Sequence, residues 1–211
     1  MTVEAGPARG AVYGPRLAAS VAAFAAVVVV NAIDLADGSH RWWANFILIP
    51  GAALMVAAAQ LFPGGRSRAV AGYLLACAGG LIFAVGAILM IGGMGRGWPL
   101  MIILPCLVVV GTVRWLPADP IGRAAHRTVI GLAALGVVLG VTFLALRAGL
   151  VDPGDAHWWG IFMIAAGLIS VANALSLVRD PRGYRFSATV LLGGLGLAAI
   201  LMGMRELWWR N

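Results

Sequence analysis

Seven apolar runs, each close to the length that crosses a lipid bilayer, constrain this chain more than any other feature of its sequence. A helix needs about 20 apolar residues to cross a hydrocarbon layer of about 30 Å. The runs are Leu17–Ile33, Trp43–Phe62, Ala69–Ile91, Trp98–Val113, Thr128–Leu146, Trp158–Val178 and Phe186–Met204. The fourth is the shortest, and Arg114 and Trp115 extend it, since both side chains can reach the membrane interface. The sequence therefore predicts an all-α, polytopic transmembrane bundle of seven helices.

The composition agrees with a membrane-embedded chain. Hydrophobic residues make up 62% of the sequence and charged residues 11%, with a mean hydropathy of +0.95. About a quarter of a soluble domain is charged, so this chain could not cover a soluble surface with hydrated groups. Its basic residues are 15 arginines without a lysine. Because they lie in short tracts between apolar runs, they indicate membrane topology and contact with anionic lipid, and we expect no nucleic-acid partner.

The arginines also predict an orientation. Ten lie on one side of the bundle, in the segment before the first run and in the connections after the second, fourth and sixth runs. Five lie on the opposite side, together with most of the acidic residues. The positive-inside rule places the ten-arginine side in the cytoplasm. We therefore expect a cytoplasmic tail over residues 1–16, a bundle over residues 17–204 and an outer tail over residues 205–211.

The first run is interpreted as a retained helix. It is preceded by Arg9 and Arg16, as a signal peptide would be, but it is long for the apolar core of one. It ends in Asn31-Ala32-Ile33-Asp34, which is a poor cleavage site.

Seven of the eight tryptophans mark one interface of the predicted bundle. They are Trp42, Trp43, Trp98, Trp158, Trp159, Trp208 and Trp209, and each follows an odd-numbered run. An aromatic belt at the headgroup level explains this position. The spacing also indicates a repeat, because aligning Trp42-Trp43 on Trp158-Trp159 places Gly51 on Gly167. The predicted unit is a helical hairpin with a tryptophan-bearing turn, present three times, with the seventh helix as a shortened fourth unit.

Two of these segments resemble a known family. Trp42-Trp43-Ala44-Asn45-Phe46-Ile47-Leu48-Ile49-Pro50-Gly51 and Trp98-Pro99-Leu100-Met101-Ile102-Ile103-Leu104 are similar to hairpins of the LiaF-type transmembrane region. That region belongs to bacterial cell-envelope stress regulators and related polytopic membrane proteins. The resemblance implies a bacterial cytoplasmic membrane, an association with envelope stress and no catalytic residues. The soluble C-terminal domain typical of those regulators has no counterpart in this sequence.

A small polar group is predicted at the outer end of the first two helices. Asn31 lies one turn before Asp34 on the same face of the first helix, and Asn45 lies near the start of the second. Arg41 is in the turn between the two helices. The residues could form a site for a cation or a lipid headgroup, or an interfacial pair that closes a tight turn.

A second polar set lies in the predicted cytoplasmic half of the bundle. Thr112 and Asn173 occupy corresponding positions of the repeat, and Gln60 lies at a similar depth. Such groups ordinarily form hydrogen bonds between helices. Alternatively, they could line a polar path for transport.

The remaining candidate groups indicate neither a metal site nor a cofactor. His40 and His157 lie beside outer tryptophans and His126 lies on the inner side, too few ligands for a structural metal site. Cys77 and Cys106 lie within apolar runs, where cysteine serves as a small core residue. The chain lacks the lysine of retinal proteins, the helical histidines of b-type cytochromes and the buried pairs of intramembrane proteases.

We therefore expect a non-catalytic membrane protein that acts through contacts between helices, as a sensor, scaffold or accessory subunit. Its expected partners are the lipid bilayer and either another membrane protein or a second copy of itself. Small faces such as Gly136 and Gly140 suit close helix contacts of either kind. A small transporter or channel lined by Asn173, Thr112 and Gln60 is the alternative.

Overall fold

The computed structural model describes residues 10–38, 41–63, 65–152, 158–178 and 183–208, which consist of helices and the turns between them. The chain divides into two compact units, Met1–Gly97 and Trp98–Asn211. The first unit contains α1 (Gly10–Ala36), α2 (Asn45–Ala59), α3 (Arg66–Met90) and the short α4 (Met94–Gly97). The second contains α5 (Leu100–Gly111), α6 (Pro120–Arg147), α7 (Trp159–Val178) and α8 (Gly183–Trp208). Short 3₁₀ turns precede α2 (Trp42–Ala44) and follow α5 (Thr112–Trp115).

Within the described part of the chain, six helices are long and apolar enough to cross a membrane. They are Leu17–Ala36, Trp42–Ala59, Arg66–Met90, Pro120–Arg147, Trp159–Val178 and Phe186–Trp208. A shorter apolar helix, Leu100–Trp115, corresponds to the fourth predicted run. The all-helical, multi-pass class predicted from sequence is therefore confirmed.

Several helices are longer than the apolar runs that predicted them. Helix α6 begins at Pro120, eight residues before the predicted start, because the Asp119 side chain accepts a hydrogen bond from the Gly122 amide and caps the helix. Proline has no backbone N–H, and the first position of a helix does not need one. Helix α1 begins at Gly10 and α8 ends at Trp208, so helix extends into both segments that were predicted as tails.

In the first unit, α2 and α3 form a hairpin with very close backbones. A Cβ added at Gly51 would lie 2.8 Å from the carbonyl oxygen of Gly79, and one added at Gly79 would lie 2.8 Å from that of Gly51. One added at Gly86 would lie 2.7 Å from the backbone nitrogen of Leu48. Gly72, Gly79 and Gly86 are spaced seven residues apart, about two helical turns, so they form one stripe along α3. This stripe lets the two helices approach more closely than any larger side chain would allow.

In the second unit, α7 and α8 use the same arrangement. A Cβ added at Gly160 would lie 2.9 Å from the carbonyl oxygen of Gly203, and one added at Gly196 would lie 2.7 Å from that of Gly167. Gly160 and Gly167 are spaced seven residues apart, as are Gly196 and Gly203. Gly167, which sequence alignment placed on Gly51, thus makes the equivalent contact in its own hairpin. Both of these hairpins join an even-numbered run to the odd-numbered run after it. The predicted hairpin instead joined an odd-numbered run to the next even-numbered run through a tryptophan-bearing turn.

Helix α6 packs two of its glycines, Gly136 and Gly140, against α5 and the residue that precedes it. A Cβ added at Gly136 would lie 2.5 Å from Cys106 Sγ, and one added at Gly140 would lie 3.3 Å from the carbonyl oxygen of Pro99. The predicted Gly136–Gly140 face therefore serves a contact inside the second unit.

Left-handed glycines end three of the helices. Gly38 after α1, Gly92 after α3 and Gly149 after α6 have φ values of 71°, 65° and 68°. After α3, the amide of Gly93 donates to the Ile88 carbonyl and that of Gly92 to the Leu89 carbonyl, which forms a Schellman cap.

Candidate functional site

Two asparagine side chains join α1 to α2. Asn31 Nδ2 donates to Asn45 Oδ1 at 2.9 Å, and Asn45 Nδ2 donates to Asn31 Oδ1 at 2.7 Å. The second N–H of the Asn31 amide donates to the Val27 carbonyl of its own helix at 2.9 Å. Both side chains are half-buried. The residues predicted from sequence to approach each other do so, as a reciprocal amide pair.

Asp34 connects α1 to the segment that precedes α2. Its side chain is only 6% exposed, and Oδ2 accepts a hydrogen bond from the backbone amide of Arg41 at 2.9 Å. A buried carboxylate is stabilised by such donors, because it has lost its hydration. Asp34 therefore fixes where the chain enters the 3₁₀ turn before α2.

The Arg41 guanidinium connects the same segment to α3. Nη1 donates to the Met90 carbonyl at 3.1 Å, at the last residue of α3. The carbonyls of a final helical turn lack helical donors and carry partial negative charge, so a cation is favourable there. The guanidinium lies against Gly92, where an added Cβ would overlap it. We call Asn31, Asp34, Arg41 and Asn45 the polar clamp, since together they link α1, α2 and α3.

A cleft of about 810 Å³ opens between α1 and α2 beside the polar clamp. Apart from the asparagine pair, its walls are apolar. The lining residues are Val27, Val28, Asn31, Ala32, Leu35, Trp42, Asn45, Phe46, Ile49 and Pro50. An apolar cavity with a few convergent polar groups is the usual form of a small-molecule site. The cleft and the polar clamp together are the candidate site of the first unit.

The amide pair leaves hydrogen-bonding capacity at the cleft. Each asparagine amide has two N–H donors and one carbonyl acceptor. Asn31 uses both of its donors, whereas Asn45 donates one N–H to Asn31 and has no second protein acceptor among the described residues. Pro50 adds to this capacity, because proline has no N–H to close the helical bond to the Phe46 carbonyl.

The second predicted polar set makes mostly local bonds. Asn173 Nδ2 donates to the Ile169 carbonyl of α7 at 2.9 Å, and Thr112 Oγ1 donates to the Val109 carbonyl at 2.6 Å. Gln60, in the first unit, is exposed. The amide of Asn173 and the hydroxyl of Thr112 therefore donate hydrogen bonds to carbonyl groups of their own helical segments.

The sequence did not predict the contact between Thr112 and His126. His126 Nε2 lies 3.2 Å from Thr112 Oγ1 and 3.3 Å from the Thr112 carbonyl oxygen. Because the only hydroxyl proton of Thr112 is directed to Val109, the ring nitrogen is the donor in the contact with Oγ1. His126 was expected in a loop but lies in the first turns of α6, and the bond ties these turns to the end of α5.

Aromatic residues cluster at the tryptophan-bearing ends of both units. Trp42 meets Phe46 edge to face at 6.0 Å between ring centroids. In the second unit Phe143 lies between Trp98 and Trp158, at 5.1 and 5.6 Å, and Trp158 meets Phe162 at 5.7 Å. Such geometries are favourable for aromatic rings. These contacts help to position Trp42, Trp98 and Trp158 near the ends of their helices.

Metal-ligating side chains do not gather in the described ranges: no three His, Cys, Asp or Glu residues lie close enough there to hold an ion. His40 and His157, two of the histidines singled out from sequence, lie outside these ranges. Cys77 and Cys106 are free thiols and half-buried.

Breaking the amide pair gives a prediction about coupling. We expect Asn31→Leu and Asn45→Leu each to destabilise the protein by about 1–2 kcal/mol, because each leaves one amide without its partner. The double variant should cost clearly less than the two single changes added together. Chemical unfolding in detergent micelles would measure the free energy of unfolding of the wild type, the two single variants and the double variant. Additive losses would show that the two amides do not interact.

The chain was compared with protein-family models, with curated proteins and with solved structures, and none of them matches it.

Proposed function

We propose that this chain is a non-catalytic membrane protein that acts through contacts between helices, as a sensor, scaffold or accessory subunit. The observation that carries the proposal is the contrast between α1 and the two glycine-packed hairpins. In a bilayer, small residues and interhelical hydrogen bonds hold helices together, since lipid is as apolar as the side chains.

Helix α1 is attached to its unit differently from α3 and α8. Close to one end, Asn31 forms hydrogen bonds with α2 and Asp34 accepts one from the segment before α2. Elsewhere it presents large apolar side chains outward, including Leu17 at 67% and Phe24 at 71% exposure. A helix held at one end and apolar along the rest can exchange lipid for the helix of a partner. In this proposal α1 is the contact helix, and the resemblance to LiaF-type regions extends the proposal to cell-envelope stress.

We also propose seven crossings, with the N-terminus in the cytoplasm and the C-terminus outside. The support is the arginine asymmetry together with the length of Leu100–Trp115, whose 16 residues (α5 and its 3₁₀ turn) span about 24 Å or more. Arg114 and Trp115 end this segment, and their long side chains can reach beyond its backbone to the membrane surface. A transport path has less support, because Asn173 and Thr112 donate hydrogen bonds to backbone carbonyls of their own helical segments.

Reporter fusions distinguish seven crossings from six. We expect GFP fused after Asp119 to fluoresce and alkaline phosphatase fused there to be inactive, because α5 has returned the chain to the cytoplasm. Phosphatase fused after Asn211 should be active. If α5 does not cross, both results reverse, while fusions after Gly65 remain cytoplasmic in either case and serve as the control.

The contact function is tested by purification from the native membrane in mild detergent, with a photoreactive amino acid at Phe24. We expect one crosslinked protein or a crosslinked homodimer in stoichiometric yield. The same amino acid at Val190, an exposed position of α8, is the matched control. Crosslinking to lipid alone at both positions would refute the contact role of α1.

A further inference from the structure

The cleft between α1 and α2 has a chemistry that the proposed contact function does not use. Its walls belong to two helices that are long and apolar enough to cross a membrane. Hydrocarbon, not water, is the medium beside such walls. An N–H without an acceptor is costly in that medium. Asn45 lines the cleft and has one such N–H, for which no protein group among the described residues is an acceptor.

The depth of the asparagine pair also identifies what could accept this bond. Asn31 lies five residues before Ala36, the last residue of α1, which is about 7.5 Å along the helix axis. The headgroup layer on each side of a bilayer is about 5–7 Å thick. With the end of α1 at the membrane surface, the amides therefore lie where the headgroup layer meets the hydrocarbon. The acyl esters of glycerophospholipids place their carbonyl oxygens at this boundary.

We propose that the cleft binds one acyl chain of an ester-linked glycerophospholipid, whose ester carbonyl accepts a hydrogen bond from Asn45 Nδ2. The chain lies along the apolar walls formed by Val28, Ala32 and Ile49, and Trp42 covers its headgroup end. Helix α1 is then seated on α2 partly through lipid. The proposal needs only that these helices lie in a bilayer, so its failure and the failure of the proposed contact function can be distinguished.

The test compares two phospholipids that differ in the ester carbonyl. Protein in nanodiscs is labelled with a phospholipid carrying a photoreactive group on its acyl chain, and labelled sites are mapped by mass spectrometry. We expect labelling concentrated on residues 27–35 and 46–50. An unlabelled diester phospholipid should compete with the photoreactive lipid about fivefold better than its diether analogue with the same headgroup. The diether has no ester carbonyl and so loses one hydrogen bond.

Three variants make the result decisive. Asn45→Leu should abolish the preference for the diester lipid, and Ala32→Phe should remove most labelling by filling the cleft. Ala25→Phe makes the same change on an exposed position of α1 outside the cleft, and labelling should persist. Uniform labelling of all exposed helices, equal competition by both lipids, or crosslinked dimers through the cleft in place of lipid adducts would each overturn the proposal.

Discussion

Replacement of Gly79 by alanine is expected to destabilise the α2–α3 hairpin by about 1–3 kcal/mol, a typical cost of overpacking a tight contact. The new methyl group would lie 2.8 Å from both the Gly51 carbonyl oxygen and the Met55 backbone nitrogen. Both are backbone atoms, so no side-chain rotation relieves the overlap and the helices must separate. The loss should appear as a lower unfolding midpoint in detergent, monitored by circular dichroism.

The adjacent glycine is the matched control for this substitution. A Cβ at Gly80 would have Met55 Sδ as its nearest neighbour, at 3.9 Å, which is an ordinary contact. Alanine there should be neutral or stabilising by about 0.5–1 kcal/mol, because glycine is a poor residue inside a helix. The same contrast is expected in the second unit between Gly196→Ala and Gly194→Ala, since Gly194 has open space around it. Equal effects within either pair would show that backbone proximity does not hold that hairpin together.

The second large loss of stability is expected for Gly92→Ala, at the point where the polar clamp contacts the end of α3. The residue has φ +65°, which costs a non-glycine residue about 1–2 kcal/mol. The added methyl group would also displace the Arg41 guanidinium, and its bond to the Met90 carbonyl would be lost. A hydrogen bond from a charged donor contributes about 1.5–3 kcal/mol. We therefore expect a total loss of about 3–4 kcal/mol in chemical unfolding.

Gly38→Ala separates the two contributions. Gly38 has φ +71° in the same unit, and a Cβ there meets nothing within 4 Å. Its replacement should cost only the backbone term. In an Arg41→Gln background, the excess loss at Gly92 should shrink toward the value at Gly38. If Gly92→Ala costs no more than Gly38→Ala in the native background, the guanidinium contact contributes nothing to stability.

Together these contacts describe two kinds of helix attachment. The glycine stripes join α2 to α3 and α7 to α8 along their length, through backbone contacts that leave no room for adjustment. Helix α1 is joined to its neighbours by a few polar groups near Asp34, with the lipid-facing cleft beside them. We therefore expect α1 to separate from its unit before either hairpin opens.

The lengths of the apolar runs predicted which segments are helical, because a helix satisfies its backbone donors and acceptors within one segment in lipid. The start of α6 was misplaced because apolar length does not register a cap. The pair Asp119-Pro120 marks the true helix start, since it supplies an acceptor and removes a donor. Local hydrogen-bonding chemistry, rather than hydropathy, would have found this boundary.

The sequence also brought Asn31, Asp34 and Asn45 to one end of the first two helices. It did not reveal that Arg41 extends to Met90, because that bond joins residues 49 positions apart. Nor did it reveal the cleft, which lies between α1 and α2 beside the amide pair and depends on how the two helices pack.

What the sequence by itself determined is a multi-pass, all-helical membrane chain with tryptophans and arginines at the helix ends, since lipid acts on each segment separately. Which helices pair was decided only by the tertiary structure. Small residues occur throughout the chain, and whether Gly79 faces Gly51 or lipid depends on how two helices are rotated against each other. That rotation is set by the sum of many short-range contacts, none of which is visible along a single apolar run.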